Sequence, residues 1–173
     1  GPFIEALKRG LACVCNPFQS YIVGNKKVLA LITDPRFQDI FDRKELKTIG
    51  ESIPWTRILE DNLATFENSR VSIPEFARRN RRRLVLKPSN SYGGKDVYLG
   101  RETDAAVWED LIREKTAGGE WIVQEYVTIP RDIFPVIENQ RLIMDIKKVN
   151  INPFAFAGRY GGTSTRAPDN SVI

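Results

Sequence analysis

The residues best suited to chemistry lie in the run Leu84-Val85-Leu86-Lys87-Pro88-Ser89-Asn90-Ser91-Tyr92-Gly93-Gly94-Lys95-Asp96-Val97. A lysine near the end of a short apolar strand can reach a phosphate as a point charge. The loop that follows holds Ser89, Ser91, Gly93, Gly94 and Lys95. Its glycines let backbone N–H groups approach a polyanion closely, and its serines and lysine add donors. Returning as a strand at Val97, the loop would form a flap over phosphates, unlike the loop-to-helix geometry of a P-loop. A plain hairpin turn has the same outline, and Lys87 and Lys95 are what favour the phosphate reading. A second piece, Gln124-Glu125-Tyr126-Val127, closes an apolar strand. A nucleotide base needs an apolar slot with backbone donors and acceptors at its edge, and a carboxylate suits ribose hydroxyls. Glu125 could supply that carboxylate or be a solvent-facing glutamate on an edge strand.

The composition excludes other chemistries. The 173 residues include no histidine, so a Ser/His/Asp or Cys/His nucleophile system lacks its base. Two cysteines without histidine cannot complete a four-ligand zinc site in one chain. Cys13 and Cys15, on one face of an extended segment, are too strained for a local disulfide; they read as buried free thiols, in keeping with a reducing cytoplasm. The net charge of +4 has one source: Arg78-Arg79-Asn80-Arg81-Arg82-Arg83 carries five positive charges, and without them the chain stands at −1. The cluster reads as a solvated helix end near the C-terminal dipole, with phosphate, anion or RNA contact as the alternative; no aromatic interleaving or nucleic-acid motif accompanies it. The longest apolar run, Val28 to Ile32, is far short of the ~20 residues of a membrane span.

The elements that must position Lys87 and Gln124 fall into two parts, a mostly helical subdomain over 1–82 and a nucleotide-binding lobe over 83–173. Short helices are expected over Phe3–Arg9, over Lys26–Thr33, and in pieces between Phe37 and Ser69, including a helix start at Ile53-Pro54-Trp55-Thr56-Arg57. Leu11–Val14 reads as a buried strand broken at Asn16-Pro17, and Ser72 as the cap of a helix with Pro74 in its first turn. Strands then dominate: Arg83–Lys87, Lys95–Leu99, Glu120–Ile129, Leu142–Val149 and Pro153–Gly158. One helix separates them, capped by Thr103, with Val107, Trp108, Leu111 and Ile112 inward and Gly118-Gly119 at its end. Gly1-Pro2 looks like the pair left when a protease removes a tag. Together with the strand-like ending Ser171-Val172-Ile173, it suggests a piece of a longer protein.

The order of these motifs resembles the circularly permuted ATP-grasp group, which includes glutathionylspermidine-synthase-like carboxylate–amine ligases. The resemblance rests on Leu84 to Pro88, Gly93-Gly94, Gln124 to Val127, Asp145, Asn152-Pro153-Phe154, and Gly161-Gly162 with Thr165-Arg166. Asn25-Lys26-Lys27 resembles the Asn-Lys helix that precedes the nucleotide-binding part, and the likeness covers roughly residues 10 to 173. It implies an α+β fold, ATP-grasp-like, with a mainly antiparallel sheet and flanking helices. It also implies that ATP activates a carboxylate as an acyl phosphate, which an amine then attacks; the carboxylate and the amine are not identified.

By the same resemblance Lys87 contacts the α- and β-phosphates, and Ser89 to Val97 close over them. Gln124 and Val127 offer backbone contacts to adenine, Glu125 lies near base or ribose, and Arg166 faces the γ-phosphate or acyl phosphate as the catalytic cation. The principal magnesium carboxylates are expected in the rest of the parent chain, outside this one. Glu60-Asp61-Asn62 has suitable letters on what reads as a helix, unsuited to a metal-bearing strand. Asp145 is either a secondary site residue or half of a salt bridge. The rival readings are a non-catalytic ATP-grasp-like interaction module and a basic RNA- or anion-binding domain.

Overall fold

The computed structural model describes residues 1–16, 18 and 20–167 and is α+β, with every strand pair antiparallel. Two compact units share the chain: Gly1–Ser91 with Tyr98–Tyr126, and Tyr92–Val97 with Val127–Ile173.

The first unit opens with helices α1 (Pro2–Lys8), α2 (Ser20–Gly24) and α3 (Lys27–Ile32), then a 3-10 turn over Pro35–Ile40 and helix α4 (Arg43–Ser52). Each start has a local cause. Pro2 sits in the first turn of α1, where a missing N–H costs nothing. Asp34 accepts the Arg36 N–H at 3.0 Å to begin the turn, and Asp42 and Glu45 form a reciprocal capping box on α4. Strand β1 (Thr56–Ile58) follows, then the hairpin β2 (Leu63–Phe66) and β3 (Ser69–Ser72), helix α5 (Ile73–Arg79) and strands β4 (Leu84–Pro88) and β5 (Tyr98–Leu99). Helix α6 (Ala105–Lys115) and strand β6 (Trp121–Glu125) complete the unit.

The sheet order is β1-β6-β4-β5, which makes β6 and β4 the inner strands. Their residues Leu84, Leu86 and Val123 form one core with Leu59 and Phe66, with Ile73 and Phe76 of α5, and with Trp108, Leu111 and Ile112 of α6. Burying a side chain such as Ile112 contributes roughly 1.5–3 kcal/mol. The Trp108 indole N–H finds an acceptor 3.0 Å away in the carbonyl of Ala77, so α6 is tied to α5 by a hydrogen bond as well as by packing.

The second unit holds two hairpins, β7 (Arg131–Glu138) with β8 (Arg141–Lys148) and β9 (Asn150–Phe156) with β10 (Arg159–Arg166). Each turns through two residues of positive φ, Asn139-Gln140 at 49° and 62°, and Ala157-Gly158 at 48° and 75°. That backbone matches the twist of the flanking strands.

Several expectations need correction. Residues 1–82 hold helices α1 to α5 and also the strands β1, β2 and β3, and Ile53 to Arg57 leads into a strand, not a helix, because Thr56 to Ile58 find a partner in β6. The boundary at 82/83 therefore cuts through one sheet, since β1 and β4 belong to the same four strands. Leu11–Val14 forms no strand, and Cys13 and Cys15 are exposed free thiols, not buried ones. Asp104, not Thr103, caps α6 by accepting the Ala106 N–H, and Val107 faces outward. Thr103 instead donates its hydroxyl to the carbonyl of Leu99. Glu60 to Asn62 form a loop, not a helix. Pro17 and Ser171-Val172-Ile173 lie outside the described residues.

Candidate functional site

Lys87 and Gln124 come from the two inner strands of the first unit, where β4 and β6 pair with Lys87 opposite Ile122 and Val85 opposite Gln124. The Lys87 ammonium donates to Gln124 Oε1 at 2.7 Å. Gln124 is buried, and its Nε2 donates in turn to Thr56 Oγ1 of β1 at 2.8 Å. Three neighbouring strands are thereby joined through side chains. Burial pulls the Lys87 pKa below the ordinary lysine value, and the positive charge of Lys26 pulls it further. Lys26 is itself lowered by burial.

Lys26, expected only at the start of a helix, reaches the loop that follows Lys87. Its backbone N–H donates to the carbonyl of Ser89 at 2.9 Å, and its ammonium donates to the carbonyl of Ser91 at 2.5 Å. Two ammonium groups distant in sequence thus come close enough for the charge of one to act on the other. Lys87 meets a neutral amide oxygen and makes no ion pair among the described residues. Such an arrangement suits a polyanion, since like charges gathered in a partly buried place lose less when an anion lies between them. The only sequence signal for Lys26 was its place next to Asn25, whose side chain caps the turn by accepting the Lys27 N–H at 2.9 Å.

The other expected site residues fall into distinct surroundings. Ser89 is fully buried, its N–H bonded to the carbonyl of Glu120 and its hydroxyl 3.4 Å from the Glu120 carboxylate; it anchors the loop. Glu125 is bound by Arg83 at 3.0 Å. The main chain of Gln124 lies between β4 and β1, opposite Val85 and Thr56, so its side chain is the group it offers. Gly93 and Gly94, with φ of 67° and 71°, lie with Lys95 and Val97 in the second unit, as do Val127 and Arg166. Arg166 ends β10 opposite Asn150 and is exposed. Asp145 is held by Lys147 at 2.7 Å, and the lysine's hydrogen bond lowers its carboxyl below the ordinary range.

The arginine cluster is mostly occupied in holding the fold. Arg78 pairs with Glu109 of α6 at 2.8 Å, Arg79 with Glu75 at 3.5 Å, and Arg83 with both Glu67 and Glu125. Arg81 donates to the carbonyls of Gly100 and Thr103. That leaves Arg82, exposed, as the member with least structural work.

No group of three or more Cys, Asp or Glu side chains among the described residues is arranged to hold a metal ion. No helix among the described residues is long and apolar enough to cross a membrane. Compared with protein-family models, with curated proteins and with solved structures, the chain matches none.

Proposed function

We propose that the chain is the nucleotide-binding portion of an ATP-dependent carboxylate–amine ligase of ATP-grasp type, with Lys87 and Lys26 gripping the phosphates. The observation that supports this reading is the bond between Lys87 and Gln124 on the inner strands of one sheet, with Lys26, at the start of α3, close enough for its charge to act on Lys87. Charge-assisted bonds to phosphate oxygens are about twice as strong as neutral ones. Gln124 holds the Lys87 ammonium in place beforehand, so little reorganisation is needed on binding.

In the reaction the carboxylate oxygen bonds to the γ-phosphorus as the β,γ-bridging bond breaks, releasing ADP. The amine nitrogen then attacks the acyl carbon of the acyl phosphate; inorganic phosphate leaves and the amine proton is lost. Lysines at the phosphates oppose the charge that builds on the leaving ADP.

Thermal stability with and without Mg-ATP tests the reading. Ligand binding to the folded state raises Tm as the ligand exceeds its Kd, and the expected rise disappears in Lys87→Ala. Lys87→Ala also leaves Gln124 Oε1 without its donor, which costs about 1–3 kcal/mol. The comparison is therefore between the ATP-induced shifts of the two proteins, not between their absolute Tm values. An equal shift in both would remove Lys87 from the phosphates.

A further inference from the structure

The β7–β8 hairpin of the second unit turns its apolar side outward. Side chains alternate across a strand, and the pairs Ile133–Ile146, Pro135–Met144 and Ile137–Leu142 put six apolar residues on one face. Ile133, Ile137, Leu142, Met144 and Ile146 are between 59% and 78% exposed, and Pro135 is exposed as well. The opposite face carries Asp132, Glu138, Arg141, Asp145 and Lys147 beside Phe134, Val136 and Ile143. It is the better covered of the two: Phe134, Val136, Asp145 and Lys147 are half-buried, and Lys147 is bound to Asp145 at 2.7 Å. A sheet with one solvated face ordinarily places its apolar residues inward and its charges outward. Here that order is reversed.

Six contiguous apolar side chains present on the order of 500 Å² of surface, at the upper end of what a monomer leaves in water. None of the six is charged or carries a hydrogen-bonding side chain, so the face has no polar group by which to select an unlike partner. Interfaces between identical chains are the more apolar class, whereas those between unlike proteins are as polar as ordinary surface. Two copies of the face together reach on the order of 1,000 Å², about the least that a specific interface buries. The charges at its margin set the direction. Arg131 and Lys148 pair at one end, and the Asn139-Gln140 turn lies at the other. Copies packed head to tail set each basic end over the other's uncharged turn, whereas copies packed head to head would gather four cations.

We propose that the chain forms a two-fold dimer through the open face of β7–β8, the two hairpins running in opposite directions as the layers of a small sandwich. The contact is isologous, so the middle pair, Pro135 and Met144, lies nearest the axis, and Ile133 and Ile146 of one copy face Ile137 and Leu142 of the other. The interface belongs to the second unit, whereas Lys26 and Lys87 belong to the first. Failure of the dimer and failure of the phosphate-binding reading are therefore separate results.

Sedimentation equilibrium of the chain over a range of concentrations, with its thiols kept reduced, is the test. The mass is expected to rise with concentration to twice that of one chain and to stop there. Ile137→Lys and Met144→Lys should each raise the dimer dissociation constant at least about a hundredfold, because every dimer would then bury two unpaired ammonium groups. Both positions are exposed in the single chain, so circular dichroism of either variant should match the parent. Val107→Lys, at an equally open position on α6, should leave the dimer as it was. A chain that stays monomeric would overturn the proposal, whether or not it then binds phosphatidylglycerol vesicles through the same face. So would a mass that climbs past two chains without a plateau, or a dimer that both lysine variants leave intact.

Discussion

The Lys87 ammonium lies 2.7 Å from the side-chain oxygen of Gln124, a bond that joins the inner strands β4 and β6. Because Gln124 is buried and bound in turn to Thr56, the lysine is held by its neighbours before any ligand arrives. A cation fixed by a neutral amide keeps its full charge for a ligand, whereas one neutralised by a carboxylate does not. The functional reading rests on that difference.

The first prediction concerns pH. Burial and the charge of Lys26 hold the Lys87 pKa below its ordinary 10.5. Phosphate is held by the ammonium form, so affinity for ATP is greatest below the lowered pKa. It should fall as pH rises through the lowered value, earlier than an ordinary lysine would allow. Lys87→Arg keeps its proton throughout and should flatten the decline. Calorimetric titrations with ATP from neutral pH upward measure both curves.

Asp34 gives a stability test of opposite sense. Burial alone would raise its carboxyl, but the side-chain and main-chain hydrogen bonds from Arg36, with the charge of Arg57, bring it below the ordinary 3.8. A carboxyl whose folded pKa is depressed adds stability above its unfolded pKa, and this is lost as pH falls through the folded one. Asp34→Asn should lower Tm by roughly 1–3 °C at neutral pH. The gap to the wild type should close as pH drops below 3.8.

Gly100 is the position least able to accept a side chain. A Cβ there would overlap the main-chain carbonyl of Arg81 and come within 2.9 Å of the carbonyl oxygen of Leu84. These are backbone atoms at the entrance to β4 and cannot swing aside. Gly100→Ala should cost at least about 3 kcal/mol, read as a lower denaturant midpoint. An unchanged midpoint would mean that the Arg81–Leu84 turn is free to move.

The arginine cluster should separate by position. Arg81→Ala removes the donor to the carbonyls of Gly100 and Thr103 and should destabilise by about 1.5–3 kcal/mol. Arg82→Ala, at an exposed site, should stay within about 0.5 kcal/mol. Equal effects, or a steep salt-dependent affinity for RNA lost in Arg82→Ala, would return the cluster to a binding role.

The parts of the fold that were legible in the sequence carried strong local signals. Leu84 to Leu86 form an unbroken apolar run ended by Lys87-Pro88, and Trp108, Leu111 and Ile112 recur at helical spacing. What escaped was set by partners distant in sequence. Thr56 to Ile58 are a strand only because residues 122 to 124 lie beside them, and Pro54 in front of them imitates a helix start. The β2–β3 hairpin turns at Glu67-Asn68 with φ of 44° and 66° but without a glycine, so the usual turn letters are missing. Strand β7 was hidden by Pro135 in its middle, which its hairpin tolerates. At the site, a lysine before a Gly-Gly loop pointed to Lys87. For Lys26 the only local signal was its place beside Asn25, because its approach is made by folding over 60 residues of intervening chain.

The measurement that bears most directly on the central claim uses an acyl-phosphate derivative of ATP. A lysine amine close to the bound phosphates attacks its acyl carbon, ATP departs, and the acyl group stays on the lysine for mass spectrometry to locate. The account predicts labelling of Lys87 or Lys26 ahead of exposed lysines such as Lys44 and Lys47, and suppression of that label by free ATP. Labelling that simply follows exposure, with no protection by ATP at either residue, would contradict the placement of a nucleotide at this pair.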